Sequence, residues 1–419
     1  MEAHRSTPRR KSLGLRLSIL LSVVGPGIIT ANVDNDAGGL TTYSQAGARF
    51  GLDVLWVLIP TTVLLIMVQE MVNRMGVVTG QGLSDMIRER FGVKLTFYLM
   101  LLVLLTNFGN VMAEFAGIAS AGELFGIPRL IAVPVCAIMV WLLVLKGTYK
   151  SVEKVFLGAC LFYFAYPITF VILRPDLTVL VDAVMQPKLT FSAPYLAMLI
   201  GIVGTTIAPW MQFYQQASVA EKNISLQDYS YSRIDTVFGC IVVNVVAACI
   251  IVVCALTLNK AGLHIEFAAD AARALVPFAG KSSAYLFAFG LWNASLFAAS
   301  ILPLSTSYTI CEALGWETGV EKDFESAPQF YVLYTALIGL GAVSILLPGV
   351  SLIGIMFWSQ VINGLLLPIV LVLVLLLVND KQVMGEYVNG RFYNVMCWAS
   401  VIVLTGVSAA YVASMFLID

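Results

Sequence analysis

Charge is scarce in this chain. Lys, Arg, Asp and Glu make up 12% of its 419 residues, and 59% are hydrophobic, whereas a soluble protein is about 25% charged. That balance excludes a soluble globular domain, and a net charge of −1 offers nothing to attract a nucleic acid. Histidine is scarcer still. His4 and His264 are the only two, too few for a histidine metal cluster or a chain of proton-carrying imidazoles. The seven cysteines (Cys136, Cys160, Cys240, Cys249, Cys254, Cys311, Cys397) lie in apolar runs without a CxxC pair. Zinc and disulfide roles fall away, and small packing residues remain. No Ser/His/Asp set or phosphate loop is present either. The chain reads as a non-enzymatic membrane protein with no resident cofactor.

What is abundant is apolar sequence in long blocks, with a mean hydropathy of +0.89. Runs long enough to cross a bilayer fall at 15–50, 53–74, 95–121, 129–146, 152–174, 193–220, 229–258, 282–314, 330–348, 349–378 and 391–417. Arg9, Arg10, Lys11 and Arg16 before the first run imitate a signal peptide, but the many later spans favour a retained first helix. Most Lys and Arg fall in 1–16, 74–94, 146–154, 222–233, 316–329 and 379–391. The positive-inside rule then places the N-terminus in the cytoplasm and the C-terminus outside, in a multi-pass protein of the cell membrane. The expected organisation is a tail (1–14), five helices (15–174), an outer connecting loop (175–192), five more helices (193–378), then a loop and an eleventh helix (379–419). "GLSDMIRERFGVK" reads as an amphipathic helix on the cytoplasmic surface, and "HIEFAADAARALVPFAGK" as an outer interfacial helix.

Two spans are interrupted. The first carries Gly25-Pro26-Gly27 and then "NVDNDAGGL", with Asp34 and Asp36 at membrane depth. The sixth carries Gly204, Thr205, Thr206 and Ala208-Pro209 at its centre. Proline removes a backbone donor and glycine permits irregular dihedrals, and unwound backbone inside a bilayer must face protein or water. Breaks at helices 1 and 6 imply two inverted five-helix repeats with a midplane site between them. Freed carbonyls there bind cations, and Asp36 adds a formal negative charge.

These residues resemble the NRAMP divalent-metal transporters. That family's first-helix pattern is Gly-Pro-Gly, eight residues, Asp-Pro-Gly-Asn, then Gln-x-Gly-Ala. It is met without a gap by Gly25-Pro26-Gly27, Asp36-Ala37-Gly38-Gly39 and Gln45-Ala46-Gly47-Ala48. Further blocks at 69–92, 113–128, 204–218, 359–368 and 383–392 follow the family pattern. The resemblance implies an all-α membrane protein of LeuT-like fold with about eleven transmembrane helices. It implies a metal site from Asp36, the backbone near Val33 and Thr205, and Gln360, with Gly39 and Ala208 at the two ligand positions that have lost their side chains.

The departures point to the ion. Gly39 stands where the family has Asn, Ala208 where it has Met, Trp210 where it has His, and Val111 where it has the first acid of Asp-x-x-Glu; Glu114 keeps the second. This combination resembles the NRAMP-related magnesium transporters, a divergent branch. Without a thioether, discrimination toward soft transition ions is lost. A wider oxygen-lined pocket suits Mg²⁺, which gives up water reluctantly, with Mn²⁺ as a second cargo. Trp210 and Val111 carry no protons, which favours uncoupled transport; Glu114 either titrates alone or pairs with backbone. Asp34 reads either as a second acid of the site or as a cap on the helix break. Thr206 and Asn363 read as interhelical hydrogen bonders near the site. The expected partners are the metal ion and the bilayer, with the protein a monomer. Competing classes are a proton-coupled Mn²⁺/Fe²⁺ transporter, a sodium-coupled organic-solute symporter of the same fold, and a channel.

Overall fold

The computed structural model describes residues 35–145, 165–319 and 322–417. Among them there is helix and no strand, and helices satisfy their own backbone groups inside lipid. Each of the eleven predicted runs contains helix. They comprise α1 (Ala37–Phe50), α2 (Leu58–Thr79), α4 (Val93–Leu124), α5 (Arg129–Leu145), α6 (Ala165–Leu173), the pair α8 (Ala193–Thr206) and α9 (Pro209–Glu221), α10 (Tyr229–Cys254), α11 (Ser283–Leu314), α12 (Pro328–Leu346), α13 (Leu352–Val378) and α14 (Arg391–Leu417). Eight segments of the described residues are long and apolar enough to cross a membrane. The start of the first span, with Val33 and Asp34, and the start of the fifth lie outside the described residues.

The polar connections follow local chemistry. The amphipathic segment forms α3 (Leu83–Phe91) between glycines 82 and 92. The predicted connecting loop 175–192 contains a helix, α7 (Leu177–Met185), because Asp176 caps it by accepting from Thr178 N at 2.9 Å. The predicted interfacial helix is instead several short turns, Ala268–Ala272, Arg273–Leu275 and Val276–Ala279. Pro277, which has no backbone donor, falls within the last of them.

α1 lies inside the bundle, packed by α4, α8, α10 and α13. Small residues make this possible. A Cβ on Gly47 would stand 2.2 Å from the Ile251 carbonyl oxygen, and one on Gly117 of α4 would stand 2.5 Å from the Ala37 Cβ. α14 is the most exposed span. It is pinned to α2 through Glu70, which pairs with Arg74 at 3.3 Å and accepts from Tyr393 Oη at 3.0 Å and from Tyr229 Oη. Arg74 reaches on to the Tyr387 carbonyl at 3.0 Å. This is a structural brace at one end of the bundle.

α8 and α13 cross at paired glycines. A Cβ on Gly204 would lie 2.1 Å from the Gln360 carbonyl oxygen and 2.3 Å from Gly364 N; one on Gly364 would lie 2.3 Å from the Ile200 carbonyl oxygen. These are backbone atoms and cannot swing aside. Gly204→Ala is therefore expected to destabilise the protein by about 1–3 kcal/mol, read as a lower thermal unfolding midpoint in detergent. An unchanged midpoint would refute the close crossing.

Candidate functional site

Asp36 begins the site because it begins α1. Its backbone is extended, and its Oδ1 accepts from Gly39 N at 2.7 Å, an N-cap made from within the "DAGG" sequence. The neighbouring amide, Ala37 N, donates to Glu114 Oε2 at 3.3 Å. Both acids are buried, Asp36 5% exposed and Glu114 not at all. Among the described residues, Glu114 Oε1 has no hydrogen-bond partner. The bond from Ala37 N ties Glu114 to the backbone of the first span.

The second break is two residues long. α8 stops at Thr206, Ile207 turns away from helical geometry, and Ala208 is extended ahead of Pro209, the conformation a residue before proline prefers. The helical donor to the Thr205 carbonyl would be the N–H of residue 209, and proline has none. That carbonyl is thus left without an i+4 partner at the negative end of α8. Thr206 Oγ1 bonds the Ile202 carbonyl at 2.7 Å and sits 2.8 Å from Tyr43 Oη, tying the two broken helices together. Trp210 is buried and packs its ring on Tyr214.

α13 supplies the third side. The Gln360 carboxamide lies directly on Gly38, where a Cβ would be 1.9 Å from its Nε2. Its Oε1 accepts from Asn363 Nδ2 at 2.8 Å, and Asn363 pairs in turn with Asn110 of α4. The structure therefore gathers the start of α1 (Asp36, Gly39), the end of α8 (Thr205, Thr206, Ala208), Gln360 and Asn363 of α13, and Glu114 of α4. Val33 and Asp34 lie outside the described residues. Sequence reasoning missed Tyr43 and the pairing of Asn110 with Asn363. Their signal was spacing: Tyr43 is seven residues after Asp36 and Asn110 four before Glu114, each on the site-facing side of its helix. Asn107 also bonds across helices, to Thr306 at 2.9 Å, but Asn244 donates to Cys240 O within α10.

A cavity of about 750 Å³ lies at the other end of α1, beside Gln45, Arg49, Met198, Glu266, Phe357 and Trp358. Gln45 is nine residues, ~14 Å of helix, from Asp36.

Comparison with known proteins agrees with the fold. A divalent metal cation transporter, MntH, of Deinococcus radiodurans is 26% identical over 402 residues, covering 92% of this chain and 88% of its own. The crystal structure of the Eremococcus coleocola manganese transporter with an aromatic bis-isothiourea substituted compound matches with a TM-score of 0.78 at 20% identity. It covers 98% of this chain and 90% of its own. MhsT in complex with L-phenylalanine matches at 0.58 and 14% identity over 95% and 98%, so the LeuT-like fold reaches beyond metal transporters. The natural resistance-associated macrophage protein-like (Nramp) profile matches residues 27–414, and the chain belongs to that family.

Proposed function

We propose that the chain is an alternating-access transporter that imports divalent cations, Mg²⁺ first and Mn²⁺ second, largely hydrated and without proton coupling. It acts as a monomer in the cell membrane, N-terminus inside and C-terminus outside. The observation that carries the reading is the make-up of the gap between the broken helices. Asp36 supplies the charge, and Thr205 supplies a carbonyl with no helical donor. Ala208 and Gly39 offer neither sulfur nor a side-chain ligand. Oxygen ligands without sulfur favour a hard ion that keeps water. The acid that charges the site disfavours a substrate carboxylate there, which sets the organic-solute symporter aside.

Membrane potential is a sufficient driving force. Two charges crossing 100 mV are worth about 4.6 kcal/mol, a roughly thousandfold accumulation. Val111 and Trp210, buried at their positions, cannot pass protons.

The test is uptake by the purified protein in liposomes with a fluorescent readout. Mg²⁺ is expected to compete at least as well as Mn²⁺, and lumenal pH to stay flat during Mg²⁺ entry. A clear Mn²⁺ preference would overturn the cargo. A metal-dependent acidification that persists with the voltage clamped would restore coupling through Glu114.

A further inference from the structure

A second cavity, a recess of about 590 Å³, opens where α13 ends, between α3 and the start of α14. One wall is polar: Arg90 of α3, Asp380 and Lys381 just after α13, and the amides of Asn379 and Asn394. The other is apolar: Phe91, Leu375, Leu376 and Trp398. The lining holds two cations to one acid, and the acid is already engaged. Asp380 Oδ2 pairs with Arg90 Nε at 2.8 Å, and its Oδ1 accepts from Gln382 N at 2.9 Å. Held by its Nε, the Arg90 guanidinium keeps its terminal NH₂ groups for another acceptor, and its side chain is 52% exposed. Lys381 is exposed as well. The two asparagines spend their amides on each other, Asn379 Nδ2 donating to Asn394 Oδ1 at 2.8 Å and Asn394 Nδ2 to Asn379 Oδ1 at 2.7 Å. The donors left over in the recess are therefore the cationic ones.

Depth identifies the ligand. The recess lies where one span ends and the next begins, at the edge of both. Exposed apolar side chains stand at the adjoining helix starts, Val93 and Phe97 on α4 and Phe392 and Val395 on α14. Lipid is therefore the neighbour on that side. A free anion would satisfy the two cations and leave the apolar wall bare, whereas a phospholipid can cover both. We propose that the recess binds one anionic phospholipid, its phosphate on Arg90 and Lys381 and an acyl chain along Leu375, Leu376 and Trp398. Basic pockets between spans recognise acidic headgroups in this way, and tryptophan suits the headgroup boundary. A lipid seated there touches α3, α13 and α14 at once. Under the orientation proposed above it comes from the cytoplasmic leaflet. The recess lies apart from the gap at Asp36, so the inference does not depend on the cargo.

The test is lipid titration of the purified full-length protein in neutral detergent, with bound lipids counted by native mass spectrometry. Phosphatidylglycerol is expected to bind in preference to phosphatidylcholine. Each cation is worth about fivefold toward an anionic headgroup. Lys381→Gln is therefore expected to weaken phosphatidylglycerol binding about fivefold, and Lys381→Gln with Arg90→Gln roughly thirtyfold, while phosphatidylcholine binding stays unmoved. Arg233→Gln removes an exposed cation at the same end of the bundle but outside the recess, and is expected to change nothing. Inorganic phosphate separates the two sources of the anion. At matched concentration it is expected not to displace the lipid; displacement would make the recess a free-anion site and overturn the proposal. Equal binding of the two lipids would overturn it too, as would unchanged phosphatidylglycerol binding in Lys381→Gln or a loss in Arg233→Gln as large as in Lys381→Gln. Should Arg90→Gln fail to fold, because it strands an Asp380 that is only 9% exposed, Lys381→Gln leaves that pair intact and carries the decision alone.

Discussion

Asp36→Ala is expected to reduce Mg²⁺ and Mn²⁺ uptake into proteoliposomes to the level of empty vesicles, a loss of at least a hundredfold. The substitution removes the formal charge that caps the start of α1. A unit charge pair 4 Å apart is worth about 4 kcal/mol at an effective dielectric of 20, and a divalent ion feels twice that. Even half of that sum, about 4 kcal/mol after the ion's lost hydration, exceeds a hundredfold in affinity. The side chain has a second job, however. It caps α1 through Gly39 N at 2.7 Å, and removing a cap costs about 1 kcal/mol of stability. Asp36→Asn divides the two roles, because the amide oxygen can still cap while the charge is gone. Asp36→Asn is expected to unfold near the parent temperature and to transport no better than Asp36→Ala. Near-parent flux in either variant would remove the anchor from the mechanism.

The helices were legible because bilayer spans are written in long apolar runs, and the breaks were legible because proline and glycine interrupt them. Ala208-Pro209 is the clearest case: the missing N–H at 209 both ends α8 and frees the Thr205 carbonyl. Asp36 could be read as a site residue because a carboxylate at membrane depth is costly without a purpose. What composition and period did not reveal is which buried polar groups meet. Asn107, Asn110 and Asn244 look alike in sequence. Only the packing of α4 on α13 and α11 shows that the first reaches Thr306, the second Asn363, and the third merely its own helix. The same holds for Gln360. Its position in α13 was readable, whereas its link through Asn363 to Asn110 of α4, 253 residues from Asn363, was not. Short capped segments were also missed: α7 is nucleated by a single Asp176, a signal too small to stand out among loop residues.

Ala208→Met combined with Gly39→Asn is expected to shift transport preference from Mg²⁺ toward Mn²⁺ by at least tenfold in a competition series. The backbone conformation at both positions admits the new side chains. Ala208 is extended in the break ahead of Pro209, where a long flexible thioether can take several rotamers. Gly39 is in the first turn of α1, with helical rather than left-handed backbone, so an Asn side chain meets no conformational strain. Together they add one soft and one neutral oxygen ligand and reduce the space for bound water. Mn²⁺ gains a favourable sulfur contact, and Mg²⁺ is asked to shed water that it holds tightly. Size and softness can be separated with Ala208→Leu, which fills a similar volume without sulfur. If lost space alone sets selectivity, Ala208→Leu with Gly39→Asn will shift preference as far as the Met version. If softness sets it, the Leu version will slow both ions without favouring Mn²⁺. A Met version that keeps the parent preference would mean that neither missing side chain is the filter, and that selectivity arises in groups that are unchanged between the variants.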